Sequence, residues 1–151
     1  MFRSITTLFI ILGMLVFAGC GKDDPDKIAA NDREKLLKYI AENDLDAIEH
    51  SSGLFYVVEK PGTGATPSLY SIVRMNYKGQ LLNGTIFDTN YNVDFNLSGT
   101  IRGWQIGVPL FKSGGKGMLL VPSALGYGEY AMGSIPRHSC LVFDIEIVDV
   151  Q

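Results

Sequence analysis

The sequence predicts an α+β domain, an antiparallel sheet with one short helix, preceded by a helical extension. Val73, Met75 and Tyr77 alternate with Arg74, Asn76 and Lys78, the period of a half-buried strand. Leu141, Phe143, Ile145 and Ile147 share one face of a second such strand, while Asp144 and Glu146 take the other. Between them lies a short helical candidate, Gly103 to Leu110, with Pro109 placed near its end because a proline in a helix interior is costly.

From the N-terminus, residues 1–19 carry one charge, Arg3, then an apolar run from Leu8 to Ala18 interrupted only by Gly13, followed by Gly19 and Cys20. A charged start, a short apolar stretch and small residues at a cut site describe a signal peptide. Spanning a bilayer takes about 20 predominantly apolar residues, and Gly21-Lys22-Asp23-Asp24-Pro25 ends the run abruptly. The tail Phe17-Ala18-Gly19-Cys20 resembles the lipobox of bacterial lipoproteins, with Phe17 in place of the usual aliphatic residue. That resemblance implies a Cys20 that is acylated and becomes the new N-terminus, anchored in the bacterial envelope at the outer membrane and facing the periplasm or the surface. More than one acyl chain, at about 0.8 kcal/mol per buried methylene, makes such an anchor stable. The alternative is a signal peptide cut elsewhere, with Cys20 an ordinary thiol.

Residues 20–30, with Asp23, Asp24, Pro25 and Asp26 close together, read as the lipidated Cys and a flexible linker. Asn31 followed by Glu34 forms a variant capping box, so 31–52 is expected to hold a helix reaching about Glu42 with Leu36, Leu37 and Ile40 on one side. Its packing partner, the main domain or a second subunit, is left open. From Gly53 the pattern turns to strands. Leu54–Glu59 is closed by Pro61-Gly62-Thr63-Gly64, and Met118–Val121 is stopped by Pro122. Residues 53–151 are thus expected to form one domain.

Composition excludes several functions. There are 13 basic against 16 acidic residues, a net charge of −3, without the clustered basic residues that a nucleic-acid partner requires. Loss of Arg3 with the leader makes the balance more acidic. After cleavage only Cys140 remains as a free thiol, so no intrachain disulfide is expected. His50 and His138 lack the neighbours of a metal motif, and each reads as a surface or turn residue. Ser113-Gly114-Gly115-Lys116-Gly117 fails as a phosphate-binding loop because Gly117 stands where a hydroxyl residue should follow the lysine. No Gly-x-Ser-x-Gly elbow is present. Neither a cofactor nor a metal is expected.

What remains is a series of aromatic and aliphatic segments near turns. In order they are Asn76-Tyr77-Lys78-Gly79, Gly84-Thr85-Ile86-Phe87-Asp88-Thr89, Phe95-Asn96-Leu97, Ile101-Arg102-Gly103-Trp104, Gly114-Gly115-Lys116, Leu120-Val121-Pro122, Leu125-Gly126-Tyr127-Gly128, Ile135-Pro136 and Leu141-Val142-Phe143-Asp144. Each alone fits a plain core. In this order and spacing, over residues 53–150, they resemble the FKBP family of peptidyl-prolyl cis/trans isomerases.

The resemblance implies a five-stranded antiparallel half-barrel wrapped around the Trp104 helix, with a pocket between them. Trp104 would be its floor, Tyr77, Phe87, Val93, Ile101 and Phe143 its walls, and Asp88 and Tyr127 polar groups at the rim. The Ile101 N–H would donate to a substrate carbonyl, and Thr100 and Ile135 would border the substrate. The loop from Gly128 to Ile135 would overhang one side. The expected activity is rotation of X-Pro bonds in proline-containing polypeptides, assisting their folding, with a macrolide as the inhibitor the family implies. Val93 stands where the family often has an aromatic, Thr100 where it has Val, and Pro136-Arg137 where it has Pro-Pro. The overhanging loop is also one residue short, with Ala131 or Met132 replacing an aromatic or His, which points to a wider, altered pocket. Two rivals stand beside the enzyme, a non-catalytic peptide-binding chaperone and a surface lipoprotein using the domain as scaffold.

Overall fold

The computed structural model describes residues 24–151. The leader and Cys20 lie outside the described residues. A helix, α1, runs Pro25–Glu42. It starts six residues earlier than the Asn31 pattern predicts because Asp24 caps it, its side chain accepting the Asp26 N–H at 3.1 Å. Pro25 fits the first turn, where no N–H is needed. The expected linker is shortened accordingly, since residues 25–30 are helical. The helix ends at Glu42 as expected, and beyond it the extension is not helical: Ile48–Glu49 forms a short strand, β1.

Five longer strands follow: β2 Phe55–Lys60, β3 Ile72–Leu81, β4 Ile86–Asn96, β5 Lys116–Val121 and β6 Leu141–Val150. All pairings are antiparallel, in the order β1-β2-β5-β6-β3-β4. The sheet therefore has six strands rather than five, because β1 adds to the outer edge of β2. Between β4 and β5 lies α2, Arg102–Gly107, continued by a 3₁₀ turn Val108–Leu110 that holds Pro109.

The strand period sorts the core into two faces. Val73, Met75, Tyr77 and Gly79 of β3 are buried toward α2, as are Leu141, Phe143, Ile145 and Ile147 of β6. Leu119 and Val121 of β5 join them around Trp104 and Val108. The opposite face carries polar pairs at its β3–β6 side, such as Lys78 Nζ to Asp144 Oδ2 at 2.6 Å and Asn76 Nδ2 donating to Glu146 Oε2 at 2.7 Å.

On that outer face α1 covers β2 and β5. Leu36 packs with Phe55, Leu120 and Cys140, flanked by Tyr39, Ile40, Val57 and Met118. Leu36 is fully buried, worth about 1.5–3 kcal/mol on transfer alone. The helix is thus part of the domain's own core. Leu37, expected on the packed side, is 39% exposed. The stripe turned inward instead runs Ile28, Asp32, Leu36, Ile40 at a spacing of four, with Asp32 and Leu36 buried and the two isoleucines half-buried. Arg33 adds a bidentate pair to Glu49 on β1, both bonds 2.8 Å.

Candidate functional site

The open mouth of the sheet and α2 enclose a cavity of about 590 Å³. Its floor is Trp104, whose helix is set by two contacts of the preceding loop. The Ile101 carbonyl accepts the Trp104 and Gln105 N–H groups at 3.0 and 3.1 Å. Gln105 Nε2 in turn donates to the Thr100 and Ser98 carbonyls at 2.8 and 3.1 Å. Gly103 lets this turn pack tightly, since a Cβ there would lie 2.5 Å from Val121 Cγ1. The Ile101 N–H has no acceptor among the described residues, and Ile101 lines the cavity.

Three rings grip the indole nearly at right angles: Tyr77 at 5.0 Å, Phe95 at 5.1 Å and Phe143 at 5.4 Å between centroids. Edge-to-face pairs of this kind contribute about 0.5–1.5 kcal/mol each beyond area burial. Phe87 completes the wall by meeting Phe143 at 5.7 Å, and it lies over Gly79, where a Cβ would come within 2.5 Å of its ring. A glycine at this point of β3 is what admits the ring.

The cavity is lined by nine of the ten residues expected to contact substrate: Tyr77, Phe87, Asp88, Thr100, Ile101, Trp104, Tyr127, Ile135 and Phe143. Val93 does not line it. The β3–β4 register carries an extra residue between Met75↔Val93 and Tyr77↔Asn90, with Asn92 in the left-handed region at φ 56°. Val93 sits half-buried opposite Met75, and the wall is taken by Phe95, large enough to reach both Tyr77 and Trp104. The larger ring two residues on in the same alternation was the available signal.

At the rim the Tyr77 hydroxyl donates to Asp88 Oδ2 and accepts from Asn90 Nδ2 at 2.9 Å, and Asn90 also donates to Asp88 Oδ1 at 3.1 Å. Asn90 was not anticipated from the sequence; the bulge brings it opposite Tyr77. Burial, and then the Asp88 carboxylate, push the Tyr77 phenol up to about 12. Tyr127 is raised too, by burial and then by the Asp88 charge, and its hydroxyl has no partner among the described residues. The overhanging loop is pinned by reciprocal bonds between Met132 and Ile135, both 2.9 Å, across a turn with Gly133 at φ 58°. Met132, Gly133 and Ser134 also line the cavity. No cluster of three or more His, Cys, Asp or Glu placed to hold a metal occurs among the described residues.

An open antiparallel sheet wrapped on a short helix, with an aromatic cavity between them, defines the FKBP-like class of folds. Residues 64–148 match the family model for FKBP-type peptidyl-prolyl cis-trans isomerases, and the chain belongs to that family. It is 40% identical over 136 residues to an FKBP-type peptidyl-prolyl cis-trans isomerase FkpA of Aeromonas hydrophila, covering 86% of this chain and 51% of the relative. The crystal structure of FkpA from Escherichia coli superposes with a TM-score of 0.73 at 36% identity, covering 83% of this chain and 62% of the other. A peptidyl-prolyl cis-trans isomerase from Pseudomonas syringae pv. tomato superposes at 0.74 with 30% identity, covering 87% and 99%. The chain spans about half the length of the Aeromonas relative.

The Tyr77 shift fixes the sign of an alkaline effect. A phenol that titrates near 10 when unfolded and near 12 when folded contributes stability in full below pH 10. That contribution is lost as pH rises from about 10 through about 12. Urea unfolding of wild type and Tyr77→Phe between pH 8 and 12 should show the gap between them narrowing above about pH 10. A gap that stays constant or widens there contradicts the assignment.

Proposed function

We propose that this chain catalyses cis/trans rotation of X-Pro bonds in extracytoplasmic polypeptides, assisting their folding, while tethered to the bacterial envelope by a lipid on Cys20. The observation that carries the catalytic half is the aromatic cavity floored by Trp104 beside the unengaged Ile101 N–H. Rotation about a peptide bond crosses a barrier of roughly 18–20 kcal/mol because the amide loses its partial double-bond character at the twisted midpoint. No covalent bond breaks, so the protein's task is to favour the twisted amide over the planar one.

The planar amide is the more charge-separated form, so walls of Tyr77, Phe87, Phe95, Ile101 and Phe143 favour the twisted, less polarised one. The prolyl ring would rest on Trp104, with Thr100 and Ile135 bordering its neighbours. The Ile101 N–H would hold a substrate carbonyl, and Asp88 and Tyr127 would meet the polar backbone at the rim. Lowering the barrier by about 4 kcal/mol gives roughly a thousandfold acceleration. A macrolide presenting a proline-like ring would compete for the same floor, in a pocket altered at Thr100 and Met132.

The envelope location is supported by the leader pattern of residues 1–19 and the lipobox-like Phe17-Ala18-Gly19-Cys20. The acidic, proline-containing start at Asp24-Pro25-Asp26 then leads straight into a helix docked on the domain.

A protease-coupled assay on a proline peptide tests the catalytic half. The chain should accelerate isomerisation, a macrolide should suppress that acceleration, and Phe87→Ala should lower kcat/KM by about thirtyfold, ~2 kcal/mol. Peptide binding without acceleration would reduce the protein to a binding module. For the anchor, fatty-acid labelling in a bacterial host should mark the wild-type chain and not Cys20→Ala; equal labelling of both removes Cys20 as the site.

A further inference from the structure

Asp32, in the middle of α1, is 1% exposed, and its contacts lead to the cavity rim. Its Oδ2 accepts both the backbone N–H and the hydroxyl of Ser123, at 2.9 and 2.5 Å. Lys35 Nζ lies 3.7 Å from Oδ1 and offsets the charge. The Cys140 thiol donates to the Asp32 carbonyl at 3.8 Å, so the helix is held from the start of β6 as well.

Ser123 begins the 3₁₀ turn Ser123–Leu125 after β5. Its carbonyl accepts the Gly126 N–H at 3.0 Å and the Gly128 N–H at 2.9 Å, the two residues that flank Tyr127. One peptide unit therefore carries the whole path: Asp32 holds the N–H and hydroxyl of Ser123, and the Ser123 carbonyl holds the backbone on both sides of Tyr127.

Burying a carboxylate is expensive, and an apolar residue at position 32 would seal the stripe of Ile28, Leu36 and Ile40 at lower cost. What the carboxylate supplies instead is two directional, charge-assisted bonds to a single residue. We propose that Asp32 is a positioning residue for the cavity, acting through Ser123 to set Tyr127 at the rim, so that α1 belongs to the functional site as well as to the core. The catalytic consequence rests on the isomerase reading above; the structural linkage does not.

The test uses the full chain and the variants Asp32→Ala, Asp32→Asn, Tyr127→Ala and the double variant Asp32→Ala/Tyr127→Ala. Asp32→Ala should lower kcat/KM about tenfold, the scale of hydrogen bonds to a charged group. Asp32→Asn, which keeps one acceptor oxygen for Ser123, should restore most of it. In the Tyr127→Ala background Asp32→Ala should lower the melting temperature as before yet leave kcat/KM unchanged. A purely structural Asp32 would lower kcat/KM by the same factor in both backgrounds, which overturns the proposal.

Hydrogen exchange of the Gly126 and Gly128 amides reads the linkage whether or not the chain turns over a peptide. Both should exchange about tenfold faster in Asp32→Ala beyond the loss of protection that the lowered global stability brings to the core Ile145 amide. Unchanged exchange at both glycines overturns the proposal. If the amides respond but the wild type does not accelerate the peptide, the isomerase reading fails and the linkage stands.

Discussion

The edge-on clamping of one indole by three rings is the constraint on which the molecule depends. Tyr77 comes from β3, Phe95 from β4, Phe143 from β6 and Trp104 from α2, so a single aromatic cluster ties three strands to the short helix. The contacts lie at 78–82° between ring planes, which sets the tilt of the indole while a solvent-connected space remains beside it. The same residues therefore close the core and shape the cavity. Packing that would ordinarily fill the space is withheld on one side, and the polar triangle of Tyr77, Asp88 and Asn90 marks where the apolar interior meets water.

Positions with little side chain matter as much as the rings. Gly79 admits Phe87, Gly103 admits Val121, and Gly107 would crowd Leu119 at 2.7 Å if it carried a Cβ. Gly103 and Gly107 lie where helix and sheet approach closely, and Gly79 lies under the rings of Phe87 and Phe143, so the cavity's width is set by absent atoms as well as by present ones. Outside this core, α1 docks on the opposite face of the sheet with Leu36 as its anchor. The two sides of the sheet are joined at Ser123, one step from the loop that carries Tyr127.

Much of this was legible in the sequence where period and chemistry agree. β3 and β6 alternate cleanly because one side faces the core and the other solvent, and nine of the ten expected contact residues meet at the cavity. β4 was illegible as a pattern because it is an edge strand, exposed at most positions, and its bulge breaks the period. The wall residue is Phe95 rather than Val93 because the larger ring, two residues on in the same alternation, reaches both Tyr77 and Trp104. The start of α1 was misplaced because Asp24-Pro25-Asp26, acidic and proline-containing, looks like linker yet is also what a capped helix start requires. Asp32 escaped notice because a carboxylate interrupts the apolar stripe that would have shown the buried face; its partner Ser123 is distant in sequence.

Trp104 is the sole tryptophan of the chain, so its fluorescence reports on the cavity floor alone. The most direct measurement is a titration with a proline peptide against the same peptide carrying alanine in place of proline. Saturable change with the first and little with the second is the predicted result. An equal response to both, or no response to the proline peptide at concentrations that saturate the folded protein, would contradict a floor built to receive a prolyl ring.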